Sequence, residues 1–440
     1  MSRVDRRASA RAERQSHTRI GDEARAAAAA VDVEALTAEL VALVRIPSVT
    51  GHEDEIAAVL ADRLEAAGLA VEVFHPDPAA IRDDPAWPGE EVPRETLPVV
   101  LGRAGRAGGR RVVLSGHHDV VPIGDPATWT ADPFGGEIRD GSVYGRGAND
   151  MKGGVAAILG ALRALAATGV LRRLDGELIV ALVPSEEDGG QGTLAAIRAG
   201  ATGDLAIIPE PSLLDVVVAH AGAITFRLEV PGRAAHASKR REGISALANL
   251  QVLVAALERD ESRRNEEETD PLMTALGLPY PTIVGTVAGG EWASTVMDRV
   301  VAEGRYGVRL GQSPEDAFAE LRATIDAACD ADDFLREHRP AIDLTGARFG
   351  SARVPSDHPL PTSLAYVAEA VTGTRPALLG VPYGADMRLF IDVGDTPCVM
   401  FGPGDVRLAH GADERVPLAE VEACARVLAA FVVEQLGTVA

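Results

Sequence analysis

The stretch that decides the fold is RVVLSGHHDVVP, residues 111–122. Its first five residues form a short apolar run that stops at Gly116, which is typical of a buried β-strand. In extended backbone, residues two apart share a face, so His117 and Asp119 point together and His118 points away. Metal-ligand residue types directly after a buried strand are typical of α/β enzymes, although the same pair also occurs in ordinary surface turns.

Strands and helices alternate on both sides of this stretch. Before residue 222, the spacing of apolar residues predicts helices at about 31–44, 53–67 and 153–167, and strands at 69–74, 111–115 and 177–183. A stretch rich in Pro, Asp and Glu, from Pro76 to Pro98, reads as a long surface loop. The alternation predicts an α/β layer with a mostly parallel sheet.

The pattern changes near Gly222 to that of an α+β unit. It predicts strands at 223–230, 282–287 and 300–310, helices at 243–258 and 314–328, and a charged loop at 259–270. Alternation returns after about residue 340 and ends in a helix at 418–436. We therefore predict one α/β domain in two pieces, 31–221 and 339–440, interrupted by a smaller domain at 222–338. The Arg- and Ala-rich residues 1–30 are predicted to form a disordered arm.

Composition excludes several classes of protein. The 440 residues carry a formal charge of −22, which argues against a nucleic-acid binder. The sequence contains no apolar run of about 18 residues, so we predict no transmembrane helix. The N-terminus lacks the apolar core of a signal peptide. Three scattered cysteines, among them no CxxC pair, fit a reducing compartment, so we expect a cytoplasmic protein.

Four further motifs place metal-ligand residues at predicted strand or loop ends. They are GRGANDMKGG at 145–154, PSEEDGG at 184–190, PEPS at 209–212 and AHGADE at 409–414. Each has a plain alternative: Asp150 could simply cap a helix, and residues 186–188 could form a solvated acidic turn. Adjacent acids repel one another unless a cation is present, and the five motifs together indicate a metal site. No phosphate-binding loop accompanies the glycines, which argues against a nucleotide site.

In this order, the five motifs resemble the M20 metallopeptidase family, in its acetylornithine deacetylase and succinyl-diaminopimelate desuccinylase branch. The resemblance extends from about Val31 to the end of the chain and includes GGEWASTV at 289–296 and EGR at 303–305. It implies an α/β fold with a zinc-exopeptidase-like catalytic domain, interrupted by an α+β lid and dimerisation domain. It also implies a homodimer formed through the lid.

The resemblance assigns roles to particular residues. It implies two divalent metal ions, Zn²⁺ or alternatively Co²⁺, with His117, Asp150 and Glu210 on one ion and Asp150, Glu187 and His410 on the other. Glu186 would be the general base, and Asp119 would orient His117. The family also suggests a cis peptide bond after the bridging aspartate, at Asp150-Met151.

Substrate-side residues are implied more weakly. His236, in GRAAHAS at 232–238, would reach the active site of a partner subunit and stabilise an oxyanion, although it could be an ordinary strand-end histidine. Arg305 would pair with a substrate carboxylate, or it could be an exposed strand arginine. A substrate-side loop would include Gly384, Ala385, Asp386 and Arg388.

This chain departs from the family pattern at several of these substrate-side positions. The departures are Lys239-Arg240-Arg241 after the lid histidine, Ser294 and Met297 in place of Asn and Pro, and Ala385 in place of a common Thr. None of them touches the metal-ligand set.

The expected function is therefore hydrolysis of the amide bond of an N-acyl amino acid or related small molecule, by metal-activated water with a glutamate base. A di- or carboxypeptidase using the same site is an alternative. A non-catalytic metal-binding relative would be favoured if Asp119, Glu186 or a ligand were replaced, and all are present. The expected partner is a small N-acyl amino acid or short peptide, without nucleic acid or membrane.

Overall fold

A computed structural model describes residues 20–439 of the chain. The first piece of the large domain contains α1 (Asp22–Ala29), α2 (Val33–Val44), α3 (Asp54–Ala67), β1 (Ala70–Phe74), α4 (Pro78–Arg82), β2 (Val99–Gly105), β3 (Arg111–His117), β4 (Glu137–Arg139), β5 (Ser142–Tyr144), α5 (Gly153–Ala167), β6 (Glu177–Val183), α6 (Gln191–Arg198), β7 (Leu205–Pro211) and β8 (Val216–His220). The second piece contains β13 (Ala352–Arg353), α11 (Pro359–Thr372), β14 (Leu378–Val381), α12 (Met387–Asp392), β15 (Cys398–Gly402), β16 (Arg415–Pro417) and α13 (Leu418–Leu436).

The small domain lies between these two pieces in the chain. It contains β9 (Gly222–Pro231), α7 (Ala246–Glu266), α8 (Pro271–Thr274), β10 (Thr282–Gly289), β11 (Arg299–Val308), α9 (Pro314–Asp330), α10 (Asp333–Glu337) and β12 (Ala341–Phe349). Its antiparallel sheet has the order β10-β11-β9-β12. Alternate residues of β9 are buried, including Phe226, and they form a second core together with residues of α7 and α9.

The large sheet has the order β1-β2-β6-β3-β7-β15-β8-β13, with β14 also paired to β8. Its central strands β6, β3, β7 and β15 run parallel to one another, which confirms the predicted parallel sheet in its centre. Toward the edges, the pairs β1-β2, β2-β6, β15-β8 and β13-β8 are antiparallel, whereas β14 pairs with β8 in parallel. The central strands are buried on both faces, so β6 and β7 are apolar along most of their length, and their charged residues lie at or next to the strand ends. Their carboxyl ends meet at one edge of the sheet, where α/β proteins hold their sites.

The second boundary of the small domain differs from the prediction. Strand β12 pairs with β9 in the small sheet, from Ala341 opposite Glu229 to Phe349 opposite Ala223. The small domain therefore continues to Phe349, and residues 339–349 do not belong to the large domain. Strand periodicity predicts that β12 exists, but it does not say which sheet the strand joins.

The predicted disordered arm is wrong for residues 20–30, where helix α1 forms. Ala24 and Ala27 are fully buried, and the amide of Gly21 donates a hydrogen bond to Glu434 Oε1 of α13, at 2.6 Å. Glu23 pairs with Arg173 at 2.7 Å. Because these alanines are small, they fit into the core of the large domain. An Ala-rich composition does not reveal that packing. The rest of the predicted arm, residues 1–19, lies outside the described residues.

The predicted charged loop at 259–270 is also wrong, because α7 continues to Glu266. Arg264 of this segment is fully buried; its guanidinium lies 3.8 Å from the ring centre of Tyr306 and pairs with Asp260 at 3.0 Å. Charged residues at helical spacing can pair along the helix and cover apolar surface, so their density is no argument for a loop. Among residues 20–439, no helix is both long and apolar enough to cross a membrane.

Candidate metal centre

The centre begins where two adjacent parallel strands end. His117 is the last residue of β3, and Glu210 lies near the end of β7, which pairs with β3. The Nε2 atom of His117 lies 3.7 Å from Glu210 Oε1 and 3.1 Å from Asp150 Oδ1. The parallel register therefore places side by side two residues that are 93 positions apart in the sequence (210 − 117).

Asp150 lies in a tight turn, Ala148–Lys152, that leads into α5. Gly147 precedes this turn with φ +79°, a conformation that favours glycine. The amides of Asn149 and Asp150 donate to Glu414 Oε1 at 3.0 and 3.1 Å. The Asp150-Met151 peptide bond is cis, as the resemblance implied. Glu414, the last acid of the AHGADE motif, thus holds the turn that presents Asp150.

A second triad meets the first at the same aspartate. His410 Nε2 lies 3.0 Å from Glu187 Oε2 and 3.6 Å from Asp150 Oδ2. The two carboxylate oxygens of Asp150 therefore face different histidines, Oδ1 toward His117 and Oδ2 toward His410. This is the arrangement that a bridging carboxylate requires.

The donor atoms fit a pair of divalent cations. The donors of His117, Asp150 and Glu210 lie within 4.8 Å of one another, and so do those of Asp150, Glu187 and His410. Among residues 20–439, the buried atoms Glu187 Oε1 and Glu210 Oε1 have no hydrogen-bond partner. Burial, with the charge of Asp150 nearby, raises the pKa of Glu187 to about 7. Such packed and unsatisfied carboxylates are stabilised by a bound cation.

Asp119 contacts His117 and the backbone of Glu186 and Glu187 from the side away from the cavity. The Nδ1 atom of His117 lies 3.0 Å from the main-chain oxygen of Asp119 and 3.5 Å from its carboxylate. The carboxylate accepts hydrogen bonds from the amides of Glu186 and Glu187, each at 3.2 Å, and from Thr50 Oγ1, also at 3.2 Å. Asp119 therefore orients the turn that carries both glutamates in addition to the imidazole of His117.

Glu186 is 9% exposed and lines the cavity beside the two triads without belonging to either. Burial, followed by the charge of Asp386, raises the pKa of Glu186 well above its ordinary value. A carboxylate with a raised pKa that faces the cavity suits proton transfer near neutral pH. Its neighbour Glu187 faces the metal donors, so the two adjacent acids have different surroundings.

The third adjacent acid, Asp188, has an arginine as its counter-charge. Buried Arg94 lies 3.0 Å from Asp188 Oδ1 and 3.1 Å from Glu53 Oε1. The mutual repulsion of the acids at 186–188 is therefore reduced by the guanidinium of Arg94, in addition to any bound metal cation. The predicted long loop at 76–98 contains helix α4 and is irregular from residue 83 to 98, where Arg94 lies. Arg94 is 94 residues from Asp188 in the sequence, which hides the pairing.

A cavity of about 440 Å³ lies above the centre and is bounded by both domains. We call the cavity-lining large-domain residues Asp150, Glu186, Glu187, Glu210 and His410 the floor of this cavity, together with buried His117, which contacts Asp150 and Glu210 but does not itself line the cavity. We call the small-domain residues Thr225, Arg305 and Phe349 its roof. Of the predicted substrate-side residues, Arg305, Gly384 and Ala385 line the cavity.

Three predicted substrate-side residues do not line this cavity: Asp386, Arg388 and His236. Asp386 is 2% exposed and accepts a hydrogen bond from Thr193 Oγ1. Arg388 is 3% exposed, and its guanidinium donates to the main-chain oxygens of Ala385 and Gly189 at 2.9 and 2.6 Å. It supports the loop that contains Gly384 and Ala385, which corrects its placement as a substrate contact. His236 is exposed on the small domain, with Nδ1 2.9 Å from Ser238 Oγ, and lies outside the cavity of its own chain.

Sequence reasoning missed three polar side chains that line the cavity: Glu91, Thr225 and Tyr383. Glu91 lies in a loop without a recognisable pattern, and Thr225 lies within an ordinary alternating strand. Tyr383 directly precedes the predicted Gly384-Ala385 loop, so an aromatic hydroxyl beside that loop was the one available signal.

Comparison with known proteins gives a consistent result. The family described as "Peptidase family M20/M25/M40" matches residues 113–434. A succinyl-diaminopimelate desuccinylase from Paracoccus denitrificans is 32% identical over 404 residues, covering 88% of this chain and 94% of the relative. An N-formyl-4-amino-5-aminomethyl-2-methylpyrimidine deformylase from Bacillus subtilis is 26% identical and covers 73% of this chain and 78% of its own. The structure of human carnosine dipeptidase 1 aligns with a TM-score of 0.72 at 18% identity, over 95% of this chain and 100% of that one.

Proposed function

Because the chain belongs to peptidase family M20/M25/M40 and is a metal-dependent amide hydrolase, we propose that its substrate is a small N-acyl amino acid. The observation that carries this proposal is the pair of donor triads that share Asp150, next to the cavity-facing Glu186. A cavity of about 440 Å³ suits a small ligand better than a protein chain. Relatives named as a desuccinylase and a deformylase support an acyl group as the part removed.

Different side chains around the cavity have different roles in the proposed hydrolysis. The two triads would hold divalent cations, which would supply polarisation of the amide carbonyl and acidification of the attacking water. Glu186 takes a proton from that water and returns it to the departing amine nitrogen. Asp119 keeps Glu186 and Glu187 in position through their amides. Arg305 binds the substrate carboxylate from the roof, since a guanidinium donates two parallel hydrogen bonds to a carboxylate.

We further propose two bound ions, with Zn²⁺ as the native metal and Co²⁺ as a functional substitute. The donors of each triad are imidazole nitrogen and carboxylate oxygen, which Zn²⁺ accepts readily. Elemental analysis of purified protein should give about two equivalents of metal per chain, falling toward one in His410→Ala. A stoichiometry of one in the unaltered protein would contradict the dinuclear centre.

A homodimer formed through the small domain accounts for the exposed position of His236. Strand β10 is an edge strand whose side chains Ile283 and Val287 are 61% and 53% exposed, and Trp292 beyond it is 74% exposed. Exposed apolar side chains along an unpaired edge are typical of strands that pair with another chain. We propose that His236 acts in the partner's cavity, where it donates a hydrogen bond to the developing oxyanion.

Mixing two inactive variants tests this arrangement. In a dimer with shared sites, His236→Ala and Glu186→Gln subunits refolded together should regain about a quarter of the unaltered activity. Half of the randomly assembled dimers would then hold one intact site of two. No regain, together with a monomeric mass by light scattering, would overturn the shared site without affecting the proposed hydrolysis.

A cytoplasmic location is proposed because Cys329, Cys398 and Cys424 are free and buried. The reaction itself is tested on N-acetyl-ornithine, N-succinyl-diaminopimelate and dipeptides, with the protein depleted by a chelator and then reloaded with Zn²⁺ or Co²⁺. We expect turnover of an N-acyl compound that is lost on depletion and restored on reloading. Turnover of dipeptides alone would favour a peptidase, and turnover that survives verified metal depletion would refute the proposal.

A further inference from the structure

Tyr383 lines the cavity from a loop of the large domain, between β14 and α12. Its side chain packs against the core of that domain, which fixes the direction of the ring. The loop itself is held by Arg388, whose buried guanidinium donates to the main-chain oxygens of Ala385 and Gly189, at 2.9 and 2.6 Å. Gly189 belongs to the turn that carries the two adjacent glutamates, so the loop is fixed relative to the general base.

The hydroxyl of Tyr383 lies among carboxylates of the floor. Burial, followed by the charges of Glu210, Asp150 and Glu186, raises the pKa of this hydroxyl. One of these acids is the predicted base, and the other two belong to the donor triads. Within residues 20–439 the hydroxyl makes no hydrogen bond at 3.5 Å or less, and it is not among the enclosed polar atoms. It is therefore open to the cavity and available to a ligand.

Few other side chains at the cavity can donate a hydrogen bond to a substrate. Apart from the acids, the lining side chains with donors in the described part of the chain are Thr225, Arg305, Tyr383 and His410. The hydroxyl of Thr225 already donates to Glu91, at 3.3 Å, and the imidazole of His410 belongs to a donor triad. Arg305 belongs to the roof and is assigned to the substrate carboxylate. Beside the base, Tyr383 is thus the donor that remains free within residues 20–439.

We propose that Tyr383 is a catalytic residue that donates a hydrogen bond to the carbonyl oxygen of the scissile amide. The inference rests on the proposed hydrolysis of an N-acyl compound, but it does not depend on which acyl group is removed. The hydrogen bond strengthens as this oxygen gains negative charge, so it stabilises the transition state more than the bound substrate. His236 of a partner subunit would be a second donor, whereas Tyr383 belongs to the same chain as Glu186.

This role moves no proton to or from Tyr383. Attack of the water oxygen on the carbonyl carbon forms a C–O bond, and the electron pair of the C=O double bond moves to the carbonyl oxygen. That pair returns when the C–N bond breaks, and Glu186 passes the proton of the water to the amine nitrogen. Tyr383 keeps its own proton throughout, in agreement with the direction of its pKa.

Two tyrosine variants test this role. Tyr383→Phe removes the hydroxyl and keeps the ring that packs on the core. Tyr366→Phe is the matched control, because Tyr366 of α11 is also half-buried against the same core but does not line the cavity. For both variants and the unaltered chain, kcat, KM and metal content should be measured, with N-acetyl-L-ornithine and N-succinyl-L-diaminopimelate as substrates.

Calorimetric binding to the zinc-loaded proteins adds a readout that does not need turnover. The probes are the analogues of these two compounds in which a phosphinate replaces the amide, and the free amino acids ornithine and diaminopimelate. A phosphinate has the tetrahedral shape and the negative oxygen of the transition state, which the free amino acids lack. A donor to the oxyanion should therefore favour the phosphinates alone.

We expect Tyr383→Phe to lower kcat on the order of 100-fold, as for the loss of one oxyanion donor, with KM and metal content nearly unchanged. Binding of the phosphinate should weaken by a similar factor, and binding of the free amino acid should stay the same. Tyr366→Phe should change none of these values.

A kcat within about threefold of the unaltered value would overturn the role of Tyr383. So would a loss that is shared by Tyr366→Phe, or one that is accompanied by loss of metal or of amino acid binding, since either would indicate a structural effect. If neither acyl compound is turned over, the proposed hydrolysis fails. Phosphinate binding then decides the role of Tyr383, and equal binding in Tyr383→Phe and the unaltered chain would overturn it.

Discussion

The floor and the roof of the cavity are built in different ways. On the floor, donors are fixed by a second layer: Asp119 holds the amides of Glu186 and Glu187, and Glu414 holds that of Asp150. On the roof, Arg305 is exposed and makes no ion pair within residues 20–439. A rigid floor suits chemistry that depends on fixed geometry, and an unpaired roof suits the choice of substrate.

The largest effect should follow from changing the base on the floor. Glu186→Gln removes the proton acceptor while preserving shape, so we expect kcat to fall on the order of 10³-fold, within the range for general base catalysis. Metal content should stay the same, because Glu186 belongs to neither triad. Steady-state kinetics with elemental analysis measure both. A kcat within threefold of the unaltered value would mean that another group takes the proton.

A smaller loss of activity should follow from changing Asp119, which supports Glu186 and Glu187 of the floor. Asp119→Asn replaces a double acceptor by a group with one acceptor oxygen, so the amides of Glu186 and Glu187 compete for it. We expect a loss of about 10- to 100-fold in kcat or metal affinity, as for other residues that support metal ligands. Thr50→Val, which removes only the hydroxyl contact to Asp119, is the milder comparison. Equal losses in both variants would contradict this ranking.

Changing the roof should act on binding instead of chemistry. Arg305→Gln removes the guanidinium, and we expect KM to rise roughly tenfold or more with kcat nearly unchanged, because a charge-assisted hydrogen bond contributes about 1.5–3 kcal/mol. Arg309→Gln, on the same segment but outside the cavity, should leave KM unchanged. If Arg305→Gln lowered kcat and kept KM, the division between floor and roof would be wrong.

The smallest expected effect is on the pH dependence of stability, and it concerns His220, which lies where the chain passes from the large domain to the small one. His220, the last residue of β8, is fully buried, and its Nδ1 lies 2.8 Å from the oxygen of Ala221. Burial lowers the pKa of His220 to about 4, with the charge of Arg388 adding to the effect. The unfolded chain therefore binds this proton at a higher pH than the folded one, and stability falls as pH drops from about 6.5 toward 4.

His220→Gln should remove that part of the pH dependence. At pH 5.5, one unit below the ordinary histidine value, the difference amounts to about 1.4 kcal/mol. Between pH 8 and pH 5.5, the free energy of unfolding, measured by denaturation, should fall by about 1.4 kcal/mol more in the unaltered protein than in His220→Gln, whatever their offset at pH 8. Parallel curves would show that His220 does not titrate on unfolding.

The floor was far easier to predict from sequence than the roof. His117, Glu187 and Glu210 follow apolar runs directly, so strand periodicity alone places them at one edge of a parallel sheet. Thr225 reaches the cavity only after two domains have packed together, and Glu91 reaches it through an irregular loop of the large domain, so no local pattern encodes either position. Helix α1 and the last turns of α7 were missed because they are stabilised by tertiary contacts of alanine and arginine.

The connection between the two sheets has a further consequence. Only Ala221 separates β8 from β9, and only Gly350 and Ser351 separate β12 from β13. Ala223 and Phe349 are paired neighbours in the small sheet, so the chain leaves and re-enters the large domain side by side, about 5 Å apart. The small domain is therefore an insertion between two adjacent points of the large domain. We expect that it can be replaced by a short turn, or exchanged for that of a relative, while the large domain keeps its own chain path.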